Sequence, residues 1–202
     1  MGYSGCAFHF AFVEPDFSSE CGQSSVMGGT LFRTWSGESG FKWFVAENRS
    51  DIGGIRTNAT IDGDYTKVLW FYLQPQAKLP KKQHLMSASY TKAHAFLVYP
   101  DGVLAAGHSG DWKAVSTSPG SIAPSTWYHA AVVYQADESL LTLYLNGKPV
   151  AKGKTTPIGV SDVMVGKHLN EGMKGRLFDI RLYSGVALNS KEIASIYEES
   201  KP

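Results

Sequence analysis

An Asn-Gly pair at 146–147, set between runs of alternating apolar residues, constrains this chain more than any other feature. Both central residues of a type I′ turn need positive φ, and the twist of that turn matches a two-residue β-hairpin. Before the pair, Leu141, Leu143 and Leu145 share one face while Leu140, Thr142 and Tyr144 share the other. Upstream, Trp127, His129, Ala131 and Val133 alternate with Tyr128, Ala130, Val132 and Tyr134, and Gln135 to Ser139 turns the chain. Downstream come Val163-Met164-Val165-Gly166 and then a run from Gly175 to Tyr183. In that last run Phe178, Ile180 and Leu182 fall on one face, expected to be the core side. Leu177, Asp179, Arg181 and Tyr183 fall on the other.

The remainder fits the same reading. Tyr65 to Leu73 is large and apolar at nearly every position and is closed by Pro75, as in a central strand covered on both faces. Ala95 to Tyr99, the turn Pro100-Asp101-Gly102 and the return Val103 to His108 make a hairpin. Gly107 to Trp112 reads as a polar, flexible loop carrying one large aromatic. Lys78, Lys81 and Lys82 mark a basic, solvated turn. Residues 14 to 60 are dense in Gly and Ser, with short strand candidates at 30–35 and 41–45. One helix is expected at the end: Asn189 caps it, Glu192 completes a capping box, and Ile193, Ile196 and Tyr197 recur at helical spacing. It is expected against the outside of a sandwich.

A chain of 202 residues suits one all-β domain. A formal charge of +1 gives no global field to draw in nucleic acid or an anionic membrane. No apolar run reaches the roughly 18 residues of a membrane helix, so no membrane insertion is expected. Residues 7–13 alternate and no basic residues precede them, so they read as a strand and not as a signal peptide. Cys6 and Cys21 are either bonded or two free thiols, and the sequence leaves both open. Asn48 and Asn58 head glycosylation sequons, which lean toward an extracellular setting.

Trp127-Tyr128-His129, Leu143 to Gly147, Val165-Gly166, Gly175 to Tyr183, Leu188 and Glu192-Ile193, in that order, carry a likeness. The chain resembles the laminin G-like group of the concanavalin A-like lectin/glucanase superfamily, most clearly over 65–198. The resemblance implies a jelly-roll sandwich of two antiparallel sheets, here a single domain over 1–202 with a short C-terminal helix. It makes Phe8, Phe10 and Phe12 an N-terminal strand beside the C-terminal one. Some members carry a structural calcium, but many have two adjacent acids where this chain has Phe178-Asp179. Asp179 is then the remaining acidic ligand at that place, and Phe178 a core aromatic that replaces the other.

No catalytic set emerges, so the chain is read as not an enzyme and as needing no cofactor. Asp62-Gly63-Asp64 has the spacing of a carboxylate pair but reads as a turn. A Gly-x-Ser-x-Gly elbow is absent, and Gly153-Lys154-Thr155 lacks the first glycine of a phosphate loop. None of His9, His84, His94, His108, His129 and His168 pairs at metal spacing on one element. His129 reads as a half-buried histidine with a hydrogen-bond partner.

Sugar sites join an aromatic platform to nearby polar groups. Trp112 with His108 and Asp111 offers that kit in one stretch, with Trp35 and Trp43 as alternatives. The leading expectation is a non-catalytic carbohydrate-binding or adhesion module, extracellular or on a particle surface, with a glycan or glycoprotein as partner. The second is a structural or decoration subunit of a virion or other assembly, bound to copies of itself or a coat protein. A glycan-degrading enzyme ranks third, for want of the carboxylate pair.

Overall fold

A computed structural model describes residues 6–10, 24–27, 30–36, 42–48, 53–75 and 81–201, the first four segments as backbone only. Cys21, and with it the Cys6–Cys21 pairing, lies outside the described residues. So do the side chains of Trp35, Trp43 and Asn48.

Among the described residues, eighteen strands precede one helix. The first five are β1 (Cys6–Phe10), β2 (Ser24–Met27), β3 (Thr30–Ser36), β4 (Lys42–Asn48) and β5 (Gly54–Ile61). Then come β6 (Tyr65–Leu73), β7 (Gln83–His84), β8 (Met86–Ser87), β9 (His94–Val98), β10 (Leu104–His108) and β11 (Asp111–Ser116). The long run supplies β12 (Trp127–Gln135), β13 (Leu140–Leu145), β14 (Lys148–Lys154) and β15 (Ser161–Val165). The chain ends with β16 (Lys167–His168), β17 (Glu171–Gly172), β18 (Gly175–Ser184) and α1 (Ser190–Glu199).

One sheet runs β14-β13-β12-β6-β18-β4-β3, with β1 also pairing β18. The second is two four-stranded pieces, β11-β10-β9-β7 and β2-β5-β15-β8. Leu85 joins them: its N–H donates to the Phe96 carbonyl and its own carbonyl accepts from Gly166. The result is the antiparallel sandwich of the sequence reading. The N-terminal strand does lie beside the C-terminal one over β1, with Phe8 opposite Leu182 and Phe10 opposite Ile180, while Phe12 lies outside the described residues.

The core between the sheets takes Tyr65, Leu69, Phe71 and Leu73 from β6, Phe96 and Val98 from β9, and Ala130, Val132 and Tyr134 from β12. The opposite face of the large sheet is also covered. Val68, Ala131, Val133, Tyr144 and Tyr183 pack there against Leu188, Ile193 and Ile196. Helix α1 therefore explains why β6 is apolar on both sides. Its start is the expected capping box: Asn189 Oδ1 accepts from Lys191 and Glu192 N–H, and Glu192 Oε2 accepts from Asn189 N–H. The Asn146-Gly147 turn has φ of 50° and 76°. A Cβ on Gly147 would stand 2.8 Å from the Tyr197 ring, so the helix seats on the turn as well as on the sheet.

Two expectations are corrected here. Phe178 is not a fully buried core residue of β18; it packs half-buried against the margin of the core. Asp179 takes φ 44° and forms a bulge, so two residues of β18 oppose one of β6 between Phe178 and Arg181. The bulge flips the alternation: Leu177, Ile180 and Leu182 are the fully buried core residues, and Phe178 is half-buried opposite Trp70. His129 is fully buried, with neither ring nitrogen hydrogen-bonded among the described residues.

Candidate functional site

The outer face of the second sheet carries a cleft, and β5 begins it. In Gly54–Ile61 the odd residues Ile55, Thr57, Ala59 and Ile61 are buried, which turns Arg56, Asn58 and Thr60 outward. Met164 of β15 pairs with Arg56 across the strands. Ser89 and Tyr90, just after β8, and the β16–β17 hairpin close the other side. His168 Nδ1 donates to the Ala88 carbonyl at 2.7 Å, and Leu169 N–H donates to Ser89 at 3.1 Å. Gly54 admits this hairpin, because a Cβ there would lie 2.9 Å from the Lys167 Cβ.

The cleft has a volume of about 280 Å³ and is lined by Arg56, Ser89, Tyr90, Met164, Lys167, Leu169 and Asn170. Tyr90 is 66% exposed and Leu169 46%, two large apolar surfaces presented to solvent side by side. Arg56 Nη2 donates to the Tyr90 hydroxyl at 3.1 Å. Leu169 sits at φ 49° in the hairpin turn, a conformation rarely adopted by a residue of its bulk. An aromatic ring with a guanidinium, an amide and a hydroxyl around it has the chemistry to hold a sugar: ring face for C–H groups, polar groups for hydroxyls.

The structure does not bring Trp112, His108 and Asp111 together as a ligand kit. Ser109 and Gly110 form a tight turn at φ 52° and 88°, so the expected flexible loop is the β10–β11 hairpin. His108 points into the core. Its Nδ1 donates to the Thr156 carbonyl at 2.8 Å, so its Nε2 accepts from the Tyr65 hydroxyl at 2.7 Å. Burial lowers its pKa to about 4, opposed by the Thr156 carbonyl and aided by Lys67. Trp112 is half-buried and already in contact with side chains, edge-on to His84 and His168 at 5.5 and 5.2 Å, with Lys82 Nζ 4.7 Å above its ring. Asp111 is exposed at the turn.

Asp179 does not fit a calcium site. Its carboxylate is buried and accepts from Arg181 Nε at 2.8 Å, so a cation already occupies it. Among the described residues no group of three acidic, histidine or cysteine side chains is placed to hold a metal. Asp62 and Asp64 lie in the β5–β6 turn, where Asp64 Oδ1 accepts from Ala136 N–H at 2.7 Å. Asn58 is exposed on the strand face that carries Arg56. No helix among the described residues is long and apolar enough to cross a membrane.

Sequence reasoning missed Arg56, Tyr90, Leu169 and Asn170. The signal for the first was present, in the alternation of Ile55 to Ile61 inside a Gly-rich stretch. The other three sit in turns, where no periodicity marks them.

With the sandwich and its cleft in place, comparison identifies the family. A profile of the concanavalin A-like lectin/glucanases superfamily matches residues 29–194, and the chain belongs to it. No match to a curated protein was found. Among solved structures, the chain is similar to domain 4 of AbnA, a GH43 extracellular arabinanase from Geobacillus stearothermophilus, in complex with arabinotriose. Identity is 20% and TM-score 0.68, over 95% of this chain and 98% of that one. It is also similar to the botulinum neurotoxin type G receptor binding domain, at 13% identity and TM-score 0.71 over 97% of this chain and 51% of that one. A third similar structure is Trypanosoma rangeli sialidase in complex with sialic acid, at 14% identity and TM-score 0.71, over 97% and 33%. The chain thus spans about half of the toxin domain and a third of the sialidase.

Proposed function

We propose that this chain is a non-catalytic recognition module that binds glycans through the Arg56–Tyr90 cleft. The observation that carries the reading is the Tyr90 ring, 66% exposed, at the edge of a cleft otherwise lined mostly by polar groups. An aromatic left in water at the mouth of a cleft is the platform a sugar ring stacks on. The similar solved structures support it, since one is described with arabinotriose and another with sialic acid. Such a module works where glycans are displayed, outside the cell or on a particle surface.

The test is retention on a panel of immobilised oligosaccharides. The wild type is expected to bind at least one member, and Tyr90→Ala to weaken that binding by roughly ten-fold or more, the loss of one aromatic contact. Retention unchanged by Tyr90→Ala would move the site elsewhere. No retention on any member, together with stoichiometric presence on a particle, would favour the structural-subunit reading. Release of reducing sugar would favour the enzyme.

A further inference from the structure

Three apolar surfaces meet in the cleft. The Tyr90 ring is 66% exposed and is held by Arg56, whose Nη2 donates to its hydroxyl at 3.1 Å and whose guanidinium carbon lies 5.9 Å from the ring centre. Met164 lines the cleft from β15, while its neighbours Val163 and Val165 pack in the core between the sheets. Leu169 supplies the third surface, 46% exposed. Its backbone sits at φ 49°, where glycine or asparagine is the easier residue, so the turn alone does not call for leucine. Its N–H bond to the Ser89 carbonyl, with that of His168 to Ala88, ties the turn to the segment after β8. A bulky apolar side chain that is strained, tied down and left in water marks a ligand contact more than a folding contact.

Asn170, the next residue, is exposed and lines the same cleft. Its side-chain amide both donates and accepts hydrogen bonds, as an acetamido group does. An apolar contact and an amide contact on adjacent residues match the two halves of that group, its methyl and its amide. We infer that the cleft selects an N-acetylated sugar: its ring face on Tyr90, its acetamido methyl against Leu169 and Met164, its acetamido N–H or carbonyl on Asn170. This rests on the glycan reading and adds the class of ligand. At about 280 Å³ the cleft suits a single sugar unit with its substituent more than a long run of sugars.

The experiment titrates the wild-type chain with pairs that differ in an acetamido group for a hydroxyl: N,N′-diacetylchitobiose against cellobiose, N-acetyllactosamine against lactose, and N-acetylgalactosamine against galactose. At least one acetylated member is expected to bind roughly four-fold or more tighter than its partner, as for one methyl group taken out of water. Leu169→Asn, which tolerates the positive φ, removes most of that difference, and Leu169→Met keeps more of it. Asn170→Ala also reduces it. Lys152→Gln, an exposed lysine on β14, leaves binding unchanged. Equal affinity within every pair, or binding confined to sugars without an acetamido group, with Tyr90→Ala still damaging, would overturn the acetamido preference and leave the glycan reading standing. So would a preference that survives both Leu169→Asn and Asn170→Ala. Binding that survives Tyr90→Ala, or no binding of any sugar, would overturn both.

Discussion

His129 shows what one residue carries in this fold. It stands on β12 between the Trp70 and Tyr197 rings, at 5.3 and 5.4 Å. Burial lowers its pKa from 6.5 to about 4, with Asp179 opposing and Arg181 adding to the shift. The folded chain therefore keeps the ring neutral while the unfolded chain protonates it. Stability is lost as pH falls from about 6.5 toward about 4, by roughly 3 kcal/mol for a group shifted this far. His84, lowered to about 3, and His108, lowered to about 4, act with the same sign. His129→Leu removes one such cost and two buried polar nitrogens. It is expected to stabilise the chain by about 1–2 kcal/mol at pH 7 and to shrink the loss between pH 7 and pH 5. Urea unfolding at the two pH values measures both, and an unchanged pH slope would contradict the assignment. The residue's type and strand were legible in the sequence. Its full burial was not, because the cover on that face comes from α1, far along the chain.

At the scale of elements, local signals were readable and displaced ones were not. The capping box of α1 lies within four residues and was legible. So was the Asn146-Gly147 turn. The bulge at Asp179 was hidden, since one extra residue reverses the alternation without changing composition, and Phe178 is half-buried rather than a full core residue. The β16–β17 hairpin was also unread: two residues a side give no period to detect. Its turn residue Leu169 shows how to separate a binding role from a structural one. Exposed and at φ 49°, it costs the fold strain that glycine would not. Leu169→Gly is expected to change stability by less than about 1 kcal/mol, well below the about 2–5 kcal/mol of a truncated core leucine, while weakening glycan binding. Thermal unfolding beside the oligosaccharide panel checks this. A core-sized loss of stability would make Leu169 a packing residue instead.

For the whole molecule, the sandwich was legible because period two recurs across most of the chain and needs only local sequence. The cleft was not, because it gathers one residue each of β5, β15 and β16, a turn after β8 and a second turn at 169–170. Among the described residues, the pairing of β15 with both β5 and β8 and the hairpin's bonds to Ala88 and Ser89 bring them together. Trp112 looked like the better platform in sequence, yet its ring is packed by His84, His168 and Lys82, while the Tyr90 ring is 66% exposed with the Arg56 guanidinium 5.9 Å from its centre. The most direct test is therefore spatial. Amide chemical shifts are followed as the best-retained oligosaccharide is titrated into the isotope-labelled chain. Shifts are expected at residues 56, 89–90, 164 and 167–170, with 107–112 unmoved. Shifts centred on 107–112, or none at the cleft, would contradict a site there.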